Sequence, residues 1–184
     1  PEQQSKIFLP TPERTRKIIV STNISETSIT IDGIVYVIDS GYFKYKTFSP
    51  HTGVESLIIS KISKASANQR AGRAGRTCPG KCYRLYTERT YNEEFDDEVQ
   101  PEIDRSNLIN IVLTLKSLGI DDLINFDFIS KPPKESLYRA LEQLYTLGAL
   151  NNEGVLTKTG LKMSELPISP FLSKMIIKSE EYNC

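Results

Sequence analysis

The run Ile34-Val35-Tyr36-Val37-Ile38-Asp39 most constrains the fold. Its consecutive apolar, mostly β-branched residues leave no polar face for solvent. Such a run suits a strand covered on both sides, as in the parallel sheets of α/β proteins. Ser40-Gly41 stops it. Lys17-Ile18-Ile19-Val20 reads the same way, as a short buried parallel strand, and gives way to Ser21-Thr22-Asn23. Open α/β sheets bind ligands outside the carboxyl ends of their strands, so the loop after Val20 is a candidate site.

That loop, residues 21–33, is dense in hydroxyls and amides, with Ile24, Ile29 and Ile31 as apolar anchors. Its groups suit phosphate and ribose oxygens, and they equally suit a helix cap followed by a turn. The second cluster is Gln69-Arg70-Ala71-Gly72-Arg73-Ala74-Gly75-Arg76. At about 100° per residue, a helix here puts Gln69, Arg73 and Arg76 on one face. Arg70 points elsewhere, and Ala71, Ala74 and Gly75 form a small back face. Two glycines in a helix cost roughly 1 kcal/mol each, which suggests close approach by another group. Arginine forks grip phosphate oxygens in pairs. In phosphoryl transfer they stabilise developing charge while a glutamine orients water. A basic helix face that is only solvated, or paired with carboxylates, is the other reading of the same spacing.

Between these clusters, residues 42–60 read as a hairpin. Phe43-Lys44-Tyr45-Lys46-Thr47-Phe48 alternates rings and lysines, and Val54-Glu55-Ser56-Leu57-Ile58-Ile59 returns. Lysines among aromatics serve nucleic acid or protect an edge strand. Thr77-Cys78-Pro79-Gly80 is a turn, and residues 81–86 alternate as a further strand. Past Pro101 the pattern becomes helical, and a domain boundary is expected near 100–105. Leu108, Ile111, Val112, Leu115 and Leu118 keep helical spacing up to Gly119. A second helix is expected from about Lys134 to Leu147, with Leu137, Leu141, Leu144 and Tyr145 inward and Gly148 as its stop. A tight hairpin over 149–156 follows, then a helix capped by Thr157. Helices, hairpin and helix make a small winged-helix-like module. Residues 167–184 open another helix, with Phe171, Leu172, Met175 and Ile176 awaiting partners outside this chain.

Charge supports the division. Residues 1–90 hold 14 Lys+Arg against 7 Asp+Glu, and residues 91–184 hold 9 against 16. The first half therefore faces an anion, or the halves neutralise each other. No apolar run approaches the ~20 residues of a membrane span, so no membrane role is expected. Three cysteines with no secretory pattern fit a reducing compartment. Cys78-x3-Cys82 lacks a second ligand pair, and His51 is the only histidine, so no metal site and no His-based nucleophile system is expected. The chain opens at Pro1 without methionine and is expected to be a piece of a longer protein.

Residues 21–30, STNISETSIT, resemble motif V of the DEAH-box RNA helicases, and residues 69–76, QRAGRAGR, resemble their motif VI. Residues 62–68 and 79–86 also fit. So do Gly119-Ile120-Asp121-Asp122-Leu123 with Phe126-Asp127-Phe128, and Leu141-Glu142-Gln143-Leu144-Tyr145 through Gly148-Ala149-Leu150. Among family members the chain is most similar to the spliceosomal pre-mRNA-processing type. Ser173-Lys174-Met175-Ile176 with Tyr182-Asn183-Cys184 leans towards the Prp2-like branch. Ser25, Ile29 and Ser40 stand where Ala, Leu and Pro are usual.

The resemblance implies a partial RecA-like α/β domain of the P-loop NTPase type over residues 1–103. It implies an α+β winged-helix domain over 104–166 and the start of a helical ratchet domain over 167–184. The 42–60 hairpin would project beside the RNA path. Arg73 and Arg76 would be arginine fingers on the ATP γ-phosphate, with Gln69 on that phosphate or the attacking water. Phe8 would stack on adenine, and Ser28, Thr30 and Asp32 would line the nucleotide side. Thr22 and Asn23 would touch the RNA backbone. The chain has no Walker A, Asp-Glu-Ala-His or Ser-Ala-Thr motif; the resemblance puts these, with the Mg²⁺ ligands, on a first RecA-like domain. Implied partners are ATP with Mg²⁺, single-stranded RNA or pre-mRNA, the spliceosome and a G-patch activator, in the nucleus. The alternative is an RNA- or protein-binding module with a degenerate nucleotide face.

Overall fold

A computed structural model describes residues 5–76 and 78–184. The chain divides into two compact units. One comprises Pro1–Tyr45 and Ile58–Gln100, the other Lys46–Leu57 and Pro101–Cys184. The hairpin tip is thus grouped with the second unit rather than with the α/β residues on either side of it.

The first unit opens with a 3₁₀ turn, Lys6–Phe8, followed by a four-residue helix α1, Ile24–Thr27. By sequence, residues 1–8 read as the end of a polar helix entering Ile7-Phe8, and that reading falls partly on residues 1–4, outside the described residues. Strand β1, Tyr36–Asp39, pairs in parallel with β4, Lys81–Arg84, in the register Tyr36↔Lys81 to Asp39↔Arg84. A parallel pair needs a crossover. Here the connection runs through the hairpin β2, Tyr42–Ser49, and β3, Val54–Lys61, and then helix α2, Lys64–Ala71. Helix α3, Glu88–Glu94, follows β4. Ser63 and Thr87 cap α2 and α3, accepting from the backbone N–H of Ser66 and Thr90.

A small apolar core of Ile62, Ala67 and Phe95, with Phe43, Tyr86 and Tyr91 packed on it, lies under α2. Two glycines allow the chain to close here. Gly80 passes so near the backbone that a Cβ would sit 1.9 Å from Ala74 O and 2.4 Å from Val35 O. Gly41 turns with φ +79°, and a Cβ there would meet the Tyr86 ring at 2.6 Å.

The expected strand over 17–20 is not formed. Ile18 and Val20 are 81% and 95% exposed. A parallel strand exists only through hydrogen bonds to a neighbour and cover on both faces. The described sheet contains β1 and β4 alone, and neither pairs with these residues. Tyr36, Ile38 and Tyr83 on the β1–β4 pair are exposed for the same reason.

The second unit has the larger core. Helices α4, Ile109–Ser117, and α5, Lys134–Thr146, pack together, followed by α6, Lys158–Ser164, and α7, Pro170–Tyr182. Their apolar stripes meet at Leu108, Val112, Leu113, Leu137, Leu144 and Met163. Leu150 and Leu156 form an antiparallel bridge between α5 and α6, a minimal wing. Thr157 accepts from Gly160 N and Ser169 from Leu172 N, starting α6 and α7, with Pro170 in the first turn of α7. Tyr145, expected inward, is half-exposed and donates from its hydroxyl to Asn152 Oδ1 at 2.9 Å. A phenol is amphipathic, and here the nearby wing amide provides a partner outside the core. Phe171, Leu172, Met175 and Ile176 on α7 remain exposed, while Pro170 and Ser173 face inward. No described helix is long and apolar enough to cross a membrane.

Candidate functional site

All sequence-identified site residues lie in the first unit. The arginine cluster does not form the continuous helix that its spacing predicts. Helix α2 ends at Ala71, and the chain continues in tighter turns, with Arg73 N donating to Arg70 O and Ala74 N to Ala71 O, each at 3.1 Å. Gly72 and Gly75, both poor helix formers, lie where the helix gives out. A Cβ at Gly75 would meet nothing within 4 Å, so the close approach inferred from these glycines is not seen. Consequently Gln69 sits exposed on α2, while Arg73 and Arg76 sit on the turns beyond it.

The three arginines have different environments. Arg70, which sequence reasoning set aside, is the most engaged. Its Nε donates to Glu26 Oε2 at 2.9 Å, and its Nη1 donates to Asp39 Oδ1 at 2.8 Å and to Tyr42 O at 3.2 Å. Burial alone would lower its pKa, but the hydrogen bonds to Glu26 and Asp39 outweigh it and raise it. Arg76 Nη1 donates to Thr30 Oγ1. Between them, Arg73 has Nε and Nη1 buried with no hydrogen-bond partner among the described residues.

Asp39, at the carboxyl end of β1, is the hub beneath this cluster. Its side chain is fully buried and also accepts from Gly41 N at 3.0 Å and from the Tyr86 hydroxyl at 2.9 Å. Burial first, then the hydrogen bond to Asp39, push the Tyr86 phenol well above its ordinary pKa. Burial also raises Cys82, with the Asp39 charge adding to it. Sequence reasoning missed Glu26, Asp39 and Tyr86. A carboxylate closing an apolar strand was the available signal, since buried charge needs partners.

The hydroxyl-rich loop lies against the arginines through Thr30 and Glu26. Thr22 Oγ1 accepts from Ile24 N at 3.5 Å, and Asn23 occupies the N-cap of α1 without using its side chain. Ser28 closes α1, with its hydroxyl 3.3 Å from Thr27 Oγ1, and Asp32 is exposed in the following turn. Phe8 is 59% exposed. It is placed by the backbone of its turn, where Lys17 Nζ donates to Ile7 O at 3.0 Å and to Leu9 O. No polar link among the described residues joins that turn to the arginines.

Two buried guanidinium nitrogens with no acceptor among the described residues cost free energy, about 1–3 kcal/mol or more, and are rare enough to require an explanation. An anion presented to Arg73 would supply the missing acceptors, so this side of the unit fits a phosphate. Among the described residues no group of three His, Cys, Asp or Glu could hold a metal ion.

Two families match the chain. The helicase conserved C-terminal domain matches residues 1–78, and the helicase-associated domain HA2, a winged helix, matches residues 140–168. The chain is also similar to two crystal structures of HrpB from Escherichia coli. One, described as a DExH-box NTPase, is 37% identical with a TM-score of 0.86 over 97% of this chain. The other, described as a DEAH/RHA helicase, is 38% identical with a TM-score of 0.88 over 95% of this chain. In each case the chain spans 22% of the HrpB length. By matched domains and by structure, this chain is similar to the DEAH/RHA helicases, to their C-terminal RecA-like region and their HA2 winged helix with adjoining helical residues.

Proposed function

We propose that the chain supplies one wall of an ATP site in an ATP-dependent RNA helicase, and that hydrolysis there drives movement on single-stranded RNA and remodelling of ribonucleoprotein. The observation that carries this reading is Arg73, whose Nε and Nη1 lie buried without acceptors among the described residues, between two engaged arginines in sequence. Arg73 grips the γ-phosphate as a planar fork, Arg76 provides a second cation, and Gln69 orients water. Ser28, Thr30 and Asp32 line the nucleotide side, Phe8 stacks on the base, and Thr22 and Asn23 hold the RNA backbone. ATP bound with Mg²⁺ supplies the transferable phosphoryl group.

The domain division is proposed as 1–103, 104–166 and 167–184. The finer placement, a Prp2-like spliceosomal protein acting on pre-mRNA in the nucleus with a G-patch activator, rests on the sequence resemblance alone.

The test is steady-state ATP turnover. The chain by itself is expected to show none, because the phosphate cradle belongs to the first RecA-like domain. In the full-length protein, Arg73→Ala should lower kcat by roughly 10³-fold or more, as loss of an arginine finger does, with RNA affinity largely kept. Near-normal turnover in that variant overturns the reading and favours a binding module.

A further inference from the structure

The loop that carries Thr22, Asn23, Ser28 and Thr30 is not held by a hydrophobic core. No residue of α1 is buried, and Ile24 is half-exposed. Among the described residues, two polar side-chain links join residues 21–33 to the rest of the unit, and both end on the arginine cluster. One is Thr30 with Arg76, and the other is Glu26 with Arg70. The second is the better shielded, with side chains 11% and 15% exposed, where an ion pair is screened least by water and salt. Arg70 lies on the last turn of α2, three residues before Arg73, and its other end is fixed on the buried Asp39 of β1. Its planar fork therefore bridges two carboxylates on separate elements, which the point charge of a lysine would not reproduce.

We propose that the Glu26–Arg70–Asp39 bridge is a positioning device that couples the proposed RNA-contacting end of α1 to the phosphate-facing arginines. Glu26 follows Thr22 and Asn23 by three to four residues and precedes Thr30 by four. A contact that shifts the start of α1 therefore pulls on Arg70, and through α2 on the turn that presents Arg73. Neither Glu26 nor Arg70 needs to touch nucleotide or RNA for this. The proposal rests on the reading of Arg73 and Arg76 as phosphate ligands.

The test uses full-length protein, ATP turnover and a single-stranded uridine homopolymer. Glu26→Ala breaks the link and leaves Arg70 on Asp39. It is expected to keep RNA-free turnover within about twofold of wild type and to lower the ratio of RNA-stimulated to RNA-free turnover by roughly fivefold or more, the usual lower bound for coupled sites. Glu26→Gln, which keeps shape and loses charge, should fall between the two, and it decides the matter if the alanine variant does not fold. An unchanged ratio in both variants overturns the proposal. So does an equal loss of stimulated and RNA-free turnover, which would make the bridge a simple brace. If Arg73→Ala leaves turnover intact, the phosphate-site reading falls and the coupling falls with it; if RNA does not stimulate the wild type, the coupling alone falls.

Discussion

Replacing Tyr86 with phenylalanine isolates one atom of the buried network. The ring would stay in place, packed on Phe95 at a centroid distance of 4.9 Å, while the hydroxyl that donates to Asp39 Oδ2 at 2.9 Å is lost. Asp39 is 1% exposed. Its other oxygen, Oδ1, already serves Gly41 N and Arg70 Nη1, so Oδ2 would have no donor among the described residues. A hydrogen bond to a charged group contributes about 1.5–3 kcal/mol, and that is the expected loss. Asp39→Asn should cost more, towards the ~3–5 kcal/mol of breaking a buried pair, tempered because Arg70 keeps Glu26. The assay must read the first unit alone. Native-state hydrogen exchange does so at the amides of Lys81 and Leu85, which donate to Val35 O and Asp39 O. In Tyr86→Phe their opening free energies should fall together while those in α5 stay unchanged. A change under about 0.5 kcal/mol, the size of a surface substitution, would refute the claim that Asp39 depends on this hydroxyl.

The same tyrosine predicts a pH response. Its phenol titrates above the ordinary value near 10, so the stability tied to the neutral form is intact below that pH. It should be lost as pH rises further, and an alkaline difference-absorbance titration should show one late tyrosine that Tyr86→Phe removes. In the second unit, Leu144 is fully buried within the helical core. Leu144→Ala should cost about 2–5 kcal/mol, read as faster exchange of α4 and α5 amides in denaturant, with the β1–β4 amides unaffected.

The sequence alone determined the elements whose stabilising pattern is local. Helical spacing placed α4 and α5 to within a residue or two, because each buries one stripe on its immediate neighbours. Thr157 marked the start of α6 because a cap is made within four residues. The two clusters over 21–33 and 69–76 were legible as candidate sites because their hydroxyls, amides and guanidiniums are dense in the sequence itself. Residue counting alone failed at 17–20, where apolar character specifies a strand but a partner must complete it. It failed again at Arg73 and Arg76, where two glycines end the helix that would have aligned them.

Only the tertiary structure decided how the three arginines differ. Their spacing is nearly regular, so nothing local separates them. Arg70 is drawn onto Asp39 and Glu26, which lie 31 and 44 residues away in sequence. Arg76 is drawn onto Thr30, 46 residues away. Arg73 remains with two buried donors and no acceptor among the described residues. The physical reason is that burial fixes the charge partners of a side chain, and burial is set by where β1, the loop and α2 meet rather than by neighbours along the chain.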